Sequence, residues 1–376
     1  MLRLEARAQA SRAMTLASPL IALALTAALA ALLFAALGKD PVHALAVFFV
    51  EPLAGTRQLT ELLLKATPLV VIALGLAVCY RANVWNIGAE GQFLLGALAG
   101  GGIALWLTNA GIVLPRAASV ALVLGAGVAG GMAWAAVVAL LRDRLNANEI
   151  LVSLMLVYVA QQLVNRLVFG PWKDPQGFNF PQTRTFDAST WLPPLAAGTR
   201  LNIGVLIALA AAVLAWVFLF RSFRGFQLQV GGLAPAAGRY AGFSSRTALW
   251  SALMVSGGLA GLAGAIEVAG PLRQITPHIS TGLGFTAIIV AFVGRLHPLG
   301  IVAAGVLLSM MLIGGELGQS RLGLPNAISG VFQGLLLVLL LACDTLIHYR
   351  LRLRPARRAR APDDMNPGPR ASVTRR

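Results

Sequence analysis

The stretch Asn83-Val-Trp-Asn-Ile-Gly-Ala-Glu-Gly-Gln-Phe-Leu-Leu-Gly-Ala-Leu-Ala-Gly100 sets Asn86, Glu90 and Gln92 inside an otherwise apolar run of helix length. At membrane depth each of those polar groups needs a protein partner in place of water. Read as one helix over 86–108, the run brings Asn86, Glu90 and Phe93 to one face at i, i+4 and i+7. Gly88, Gly91 and Gly96 keep the same helix slim enough for close packing. A polar stripe on a small-residue helix points to a path through a membrane, with Asn86, Glu90, Gln92 and Phe93 as candidate lining residues.

Composition leads to the same class. With 57% hydrophobic residues, 12% charged and a mean hydropathy of +0.77, the chain lies outside the range of soluble globular domains. At about 20 apolar residues per crossing, ten segments qualify: 18–37, 62–80, 86–108, 115–141, 149–169, 201–220, 248–269, 282–294, 298–316 and 325–347. The expected fold is therefore all-α and polytopic, embedded in a membrane. The short segment 282–294 reads either as a crossing or as half of a broken or re-entrant pair with 298–316.

The arginines fix an orientation. With the N-terminus inside, the inner segments hold Arg3, Arg7, Arg12, Arg81, Arg142, Arg144, Arg221, Arg224, Arg239, Arg246, Arg295 and the run from Arg350 onward. The outer segments keep a sparser set spread over longer loops, so the positive-inside rule predicts both termini in the cytoplasm. This gives a cytoplasmic segment 1–17, a transmembrane domain 18–349 and a basic, Pro-containing tail 350–376. The tail is expected to be disordered and to contact anionic lipid headgroups. The net charge of +16 follows from that bias. No basic stripe is interleaved with aromatics, which argues against a nucleic-acid partner. Arg3, Arg7 and Arg12 precede an apolar run too long for a cleavable signal peptide, so it reads as a retained first helix.

Two connections are more than turns. The outer loop 170–200 is polar, Pro-rich and aromatic, and a loop of this length usually covers something. The inner segment 221–246 contains Pro235, which can open a short helix, and Gly242, which can close it.

Several chemistries are absent from the sequence. No Gly-x4-Gly-Lys-Ser/Thr occurs, so the chain has no P-loop for ATP. Gly125-Ala-Gly-Val-Ala-Gly130 matches a dinucleotide fingerprint but sits inside a span, where helix packing explains it. The four histidines lack metal-ligand spacing. Cys79 and Cys343 fall at helix ends on the same predicted side, which argues against a structural disulfide.

Each candidate residue also has a plainer reading. Glu90 either lines a path or accepts hydrogen bonds that hold the bundle in register, and Asn86 divides in the same way. Asn148 and Glu149 suit an N-cap and first-turn carboxylate, with Ser153 one turn further in as a pore candidate. Glu267 reads as an external gate, a partner contact or a solvated helix end, and Trp85 as an interfacial anchor.

Four ordered motifs carry a resemblance over about residues 59–342. Asn86-Ile-Gly-Ala-Glu-Gly-Gln92, Asn146-Ala-Asn-Glu-Ile-Leu-Val-Ser-Leu-Met155, Gly232-Leu-Ala-Pro-Ala-Ala-Gly-Arg-Tyr-Ala-Gly242 and Gly284-Phe-Thr-Ala-Ile-Ile-Val-Ala-Phe-Val-Gly-Arg-Leu-His-Pro-Leu-Gly300 resemble permease subunits of nucleoside and simple-sugar ABC importers. That superfamily also includes ribose-type and branched-chain amino-acid permeases. The resemblance implies a multi-pass protein of the bacterial inner membrane, paired with a second permease subunit, homologous or identical. It further implies a cytoplasmic ATPase holding ATP and Mg, and a periplasmic or lipoprotein substrate-binding protein. Gly232, Pro235, Ala237, Arg239, Tyr240, Ala241 and Gly242 would form the coupling element toward the ATPase. Here Ala234, Ala236 and Gly238 replace the family's Asn, Glu and second Ala, so a carboxylate contact at 236 is missing. A branched-chain amino-acid permease is the alternative within the superfamily. An ion-coupled secondary transporter is the alternative in mechanism, for which Glu90 is the one deep titratable candidate.

Overall fold

Long apolar runs that close their own backbone hydrogen bonds meet the condition for crossing a bilayer. A computed structural model describes residues 2–6, 12–196, 198–325 and 327–353. In chain order the helices are α1 (Arg12–Ala36), α2 (Pro41–Phe49), α3 (Thr56–Arg81), α4 (Ala89–Ala110), α5 (Arg116–Leu145), α6 (Glu149–Val168) and α7 (Gly204–Arg221). They continue with α8 (Phe223–Leu233), α9 (Pro235–Tyr240), α10 (Ser245–Glu267), α11 (Leu283–Val293), α12 (Pro298–Leu322) and α13 (Ala327–His348). Among the described residues nine helices are long and apolar enough to cross a membrane.

Segment 282–294 takes the second of its two readings. Helix α11 has eleven residues, about 16 Å of rise against a hydrocarbon core of about 30 Å. The return from α10 to α12 is therefore a broken passage: a π-turn at Val268–Leu272, irregular residues 273–282, then a half-length helix. Irregular backbone at depth must be covered by protein, and the loop 170–200 covers it. Thr183 and Phe186 donate their amides to the carbonyls of Ile275 and Arg273 at 3.0 and 2.9 Å, and Leu192 donates to Ala269 at 3.0 Å.

The chain divides into two compact units. In the smaller, Met1–Leu25 with Val338–Arg376, strand β1 (Leu2–Ala6) pairs antiparallel with β2 (Tyr349–Leu353), Leu2 opposite Leu353. The expected disorder of 350–376 thus fails for its first residues, whose backbone groups find a ladder partner. Residues 354–376, and with them most of the predicted tail, lie outside the described residues, as do 1 and 7–11. Also in this unit, the Ser18 hydroxyl donates to the Asp344 carboxylate.

In the larger unit, Thr26–Leu337, α3 is the central element, with nearly every side chain from Leu62 to Tyr80 buried. It packs on α7, α10, α11 and α12. Helices α4, α5 and α10 meet along a glycine seam. A Cβ on Gly131 would collide with the Gly257 carbonyl, one on Gly261 with that of Gly127, and one on Gly264 with that of Phe93. Such close backbone approach maximises dispersion contact where lipid supplies no hydrophobic drive. Gly127 from the fingerprint-like run is in the seam, consistent with the packing reading. The short α2, not expected from the sequence, is opened by Asp40 accepting from the Val42 amide at 3.0 Å, with Pro41 at the first helical position. It is held by Phe48, which meets Phe34 and Phe332 at ring-centroid distances of 5.4 Å each.

Candidate translocation and coupling sites

Helix α4 begins at Ala89, so residues 84–88 run irregularly and Asn86 does not share its helical face. The expected i, i+4, i+7 stripe is corrected on that ground. Asn86 is fully buried, and its carboxamide exchanges hydrogen bonds with that of Gln92 at 2.9 and 3.2 Å. Its amide also donates to Ser256 of α10 at 3.0 Å, and its oxygen accepts from the Gly88 amide at 3.0 Å. Gln92 and Phe93 are fully buried too. Ser153 accepts from the Ile87 amide at 3.2 Å, and a Cβ on Gly88 would strike its backbone. Together these residues clamp the α4 lead-in between α6 and α10.

Glu90 stands in the first turn of α4, 5% exposed, and its carboxylate accepts from the Gly284 amide of α11 at 2.6 Å. The Ser280 hydroxyl, which accepts from the Gly282 and Leu283 amides at 3.1 and 3.0 Å, lies beside it. Because the first amides of a helix have no intrahelical acceptor, Glu90 acts as a cap supplied by another helix to the half-helix α11. Its charge meets the positive end of that helix's dipole. Gly284 fits there because a Cβ would collide with the Glu90 backbone.

At the arginine-rich end, where α3 and α7 finish at Arg81 and Arg221, α8 and α9 form an elbow. Pro235 occupies the first position of α9 and Gly242 follows it with φ +79°, as the sequence predicts. Ala237, Arg239, Tyr240, Ala241 and Gly242 are exposed, Tyr240 at 98%, and Leu233 beside them at 86%. Gly232 is different: a Cβ there would enter the backbone of Arg81 and Ala82, so it seats the elbow on α3. Arg81, read from sequence only as an orientation charge, is the hub of this region. Its guanidinium donates to the Leu296 carbonyl at 2.8 Å and to Gln229 at 3.1 Å, and lies 4.8 Å over the Phe220 ring. Arg81 thereby joins α3, α7 and α8 to the turn between α11 and α12.

Nearby, Asn148 caps α6 by accepting from Ile150 at 2.9 Å, and Glu149 pairs with Arg142 at 3.2 Å. Both choices follow the capping reading. Trp85 is 39% exposed and stacks at 6.3 Å on Phe292.

At the opposite end of the larger unit, α3, α10, α11, α12, the start of α13 and the adjoining loops line an open cavity of about 470 Å³. Glu267 lines it, together with Glu61, Lys65, Arg200 and Glu316. Arg200 makes a two-pronged pair with Glu61 at 3.0 and 2.6 Å, and Lys65 pairs with Glu316. None of Asn86, Glu90, Gln92, Phe93 or Ser153 lines this cavity. Lys65, Glu61 and Glu316 escaped the sequence reading as site residues. Their spacing on α3, Glu61, Lys65 and Pro68 at i, i+4 and i+7, was the available signal.

Known proteins place this architecture. The chain is 34% identical to the glucose ABC transporter permease protein TsgB13 of Haloferax volcanii, over 93% of this chain and 94% of that one. It is 29% identical to the nucleoside ABC transporter permease protein NupB of Lactococcus lactis, covering 82% and 86% respectively. It is also 29% identical to the guanosine ABC transporter permease protein NupP of Bacillus subtilis, covering 85% and 91%. No solved structure matches the chain. Residues 58–341 match the family described as branched-chain amino acid transport system, permease component, and the chain belongs to that family.

Proposed function

We propose that this chain, a permease subunit of an ATP-binding cassette importer in the bacterial inner membrane, carries nucleosides or a related simple sugar. The observation supporting that cargo is the naming of relatives that share 82–93% of its length: glucose, nucleoside and guanosine permeases. ATP and Mg belong to a cytoplasmic partner ATPase, since the chain has no P-loop. The exposed face of α9, with Leu233 and Tyr240 at its shoulders, is the surface offered to that ATPase. Movement there reaches α3 through Gly232 and the α11–α12 turn through Arg81. A second permease subunit, homologous or identical, completes the path, and a substrate-binding protein delivers cargo at the cavity end. The arginine distribution supports placing both termini and α9 in the cytoplasm.

The test is uptake by the reconstituted complex with its ATPase and binding protein. Guanosine or glucose should enter only with ATP, and entry should survive dissipation of the proton gradient. Loss of uptake on dissipating the gradient would favour ion coupling. Leucine as the sole transported cargo would favour the branched-chain amino-acid reading, which the family description raises.

A further inference from the structure

The cavity opposite α9 is walled by residues a simple packing core would avoid. Pro68 interrupts α3 and removes the amide that would bond the Leu64 carbonyl, and both residues line the space. The π-turn Val268–Leu272 shapes another wall, and such turns recur at functional sites. Three carboxylates face two cations here. Glu61 is satisfied by Arg200, and Glu316 is engaged by Lys65. Among the described residues, the carboxylate of Glu267 makes no hydrogen bond or ion pair, although Lys65 and Arg200 both attract it. A half-buried carboxylate at the end of α10, with open acceptor positions facing a cavity, can take donors from a ligand.

We propose that this cavity binds a neutral molecule carrying a vicinal diol, with the two oxygens of Glu267 accepting from the two adjacent hydroxyls. A diol presents paired donors at the separation a carboxylate accepts, as a guanidinium does. Charged donors are already supplied by Lys65 and Arg200, so an uncharged donor pair fits the remaining acceptor without adding a third cation. The volume of about 470 Å³ lies within the usual range of small-molecule sites, roughly 300–1,000 Å³, and admits a nucleoside or a hexose. The cavity floor includes Thr281 and Leu283, next to Gly284, which Glu90 holds. A bound diol would therefore rest against the capped start of α11. This assignment deepens the cargo reading above and rests on it for the identity of the diol.

The experiment uses the complex in nanodiscs with Leu312→Cys, a residue lining the cavity, in a Cys79→Ala, Cys343→Ala background. Leu145→Cys, exposed at the other end, is the control. Adenosine at 10 mM should slow thiol modification at position 312 by about ten-fold, as a Kd of about 1 mM gives, and leave position 145 unchanged. Its 2′,3′-dideoxy analogue and leucine should not protect. Glu267→Ala should abolish the protection, and the milder Glu267→Gln should weaken it if the alanine variant does not fold. Equal protection by adenosine and the dideoxy analogue, protection by leucine, or no protection would overturn the assignment. A complex that imports no nucleoside or sugar while adenosine still protects would sink the cargo reading and leave the diol site standing.

Discussion

Glu90 and Glu267 are both lone carboxylates within long apolar helices, yet their surroundings differ completely. Glu90 is bonded by the first turn of α11, 5% exposed, with the Gly284 amide at 2.6 Å. Glu267 has no hydrogen bond among the described residues and faces a cavity. A carboxylate taken out of water is costly unless donors or cations meet it. For Glu90 the protein offsets that cost internally, with the Gly284 amide, which would otherwise be unbonded. For Glu267 the compensation is left to two neighbouring cations and to whatever enters the cavity. Depth and charge alone therefore do not mark a transport path.

The strongest way to break this comparison is to deny Glu90 its approach to α11. Gly284→Val places a side chain where the Glu90 backbone lies, and overpacking at such a contact costs about 1–3 kcal/mol or more. The melting temperature of the purified subunit should fall sharply and little protein should reach the membrane. A wild-type melting temperature would show that α11 is free to move away, and that the cap is dispensable.

Removing the cap itself should cost somewhat less. Glu90→Ala leaves the buried Gly284 amide without an acceptor, which costs about 1–3 kcal/mol. Glu90→Gln keeps one acceptor and should retain most of the stability. Thermal melts of both variants in lipid, with transport normalised to folded protein, separate the cap from a charge requirement. Equal melting of the two variants would contradict the capping role.

The third prediction sharpens the contrast between internal and partner-directed surfaces. Ala237→Arg puts a bulky charge on the exposed face of α9, where the fold has room for it. Melting should be unchanged, and substrate-stimulated ATP hydrolysis of the assembled complex should be lost. Wild-type hydrolysis would remove α9 from the coupling surface. The smallest effect belongs to an ordinary cap: Asn148→Ala should cost about 1 kcal/mol, visible as a small drop in melting temperature without change in transport.

Much of this was legible in the sequence. Nine of the ten expected spans are long apolar helices among the described residues, and Pro235 with Gly242 marked the ends of α9 correctly. What was not legible depends on contacts between distant segments. The periodic placement of Asn86, Glu90 and Phe93 suggested one continuous helix. Gln92 and Ser256 instead hold Asn86 in an extended lead-in, and hydrophobic pattern cannot distinguish the two. The Glu90–Gly284 bond joins residues 194 positions apart. Residues 282–294 were apolar enough for a span, and only the loop-covered backbone at 273–275 shows why a half-helix suffices. Helix α2 carried a readable start at Asp40-Pro41, but nine residues fall below any length rule for crossing.

The central claim, that one carboxylate builds the fold while the other meets the cargo, is tested most directly by transport per folded molecule in two isosteric variants. Glu90→Gln and Glu267→Gln would be reconstituted side by side with the partner ATPase and binding protein and assayed for nucleoside uptake. The account predicts near-wild-type uptake for Glu90→Gln and a loss of about ten-fold for Glu267→Gln, one charged hydrogen bond's worth of affinity. Unchanged uptake in Glu267→Gln beside a well-folded but inactive Glu90→Gln would contradict it.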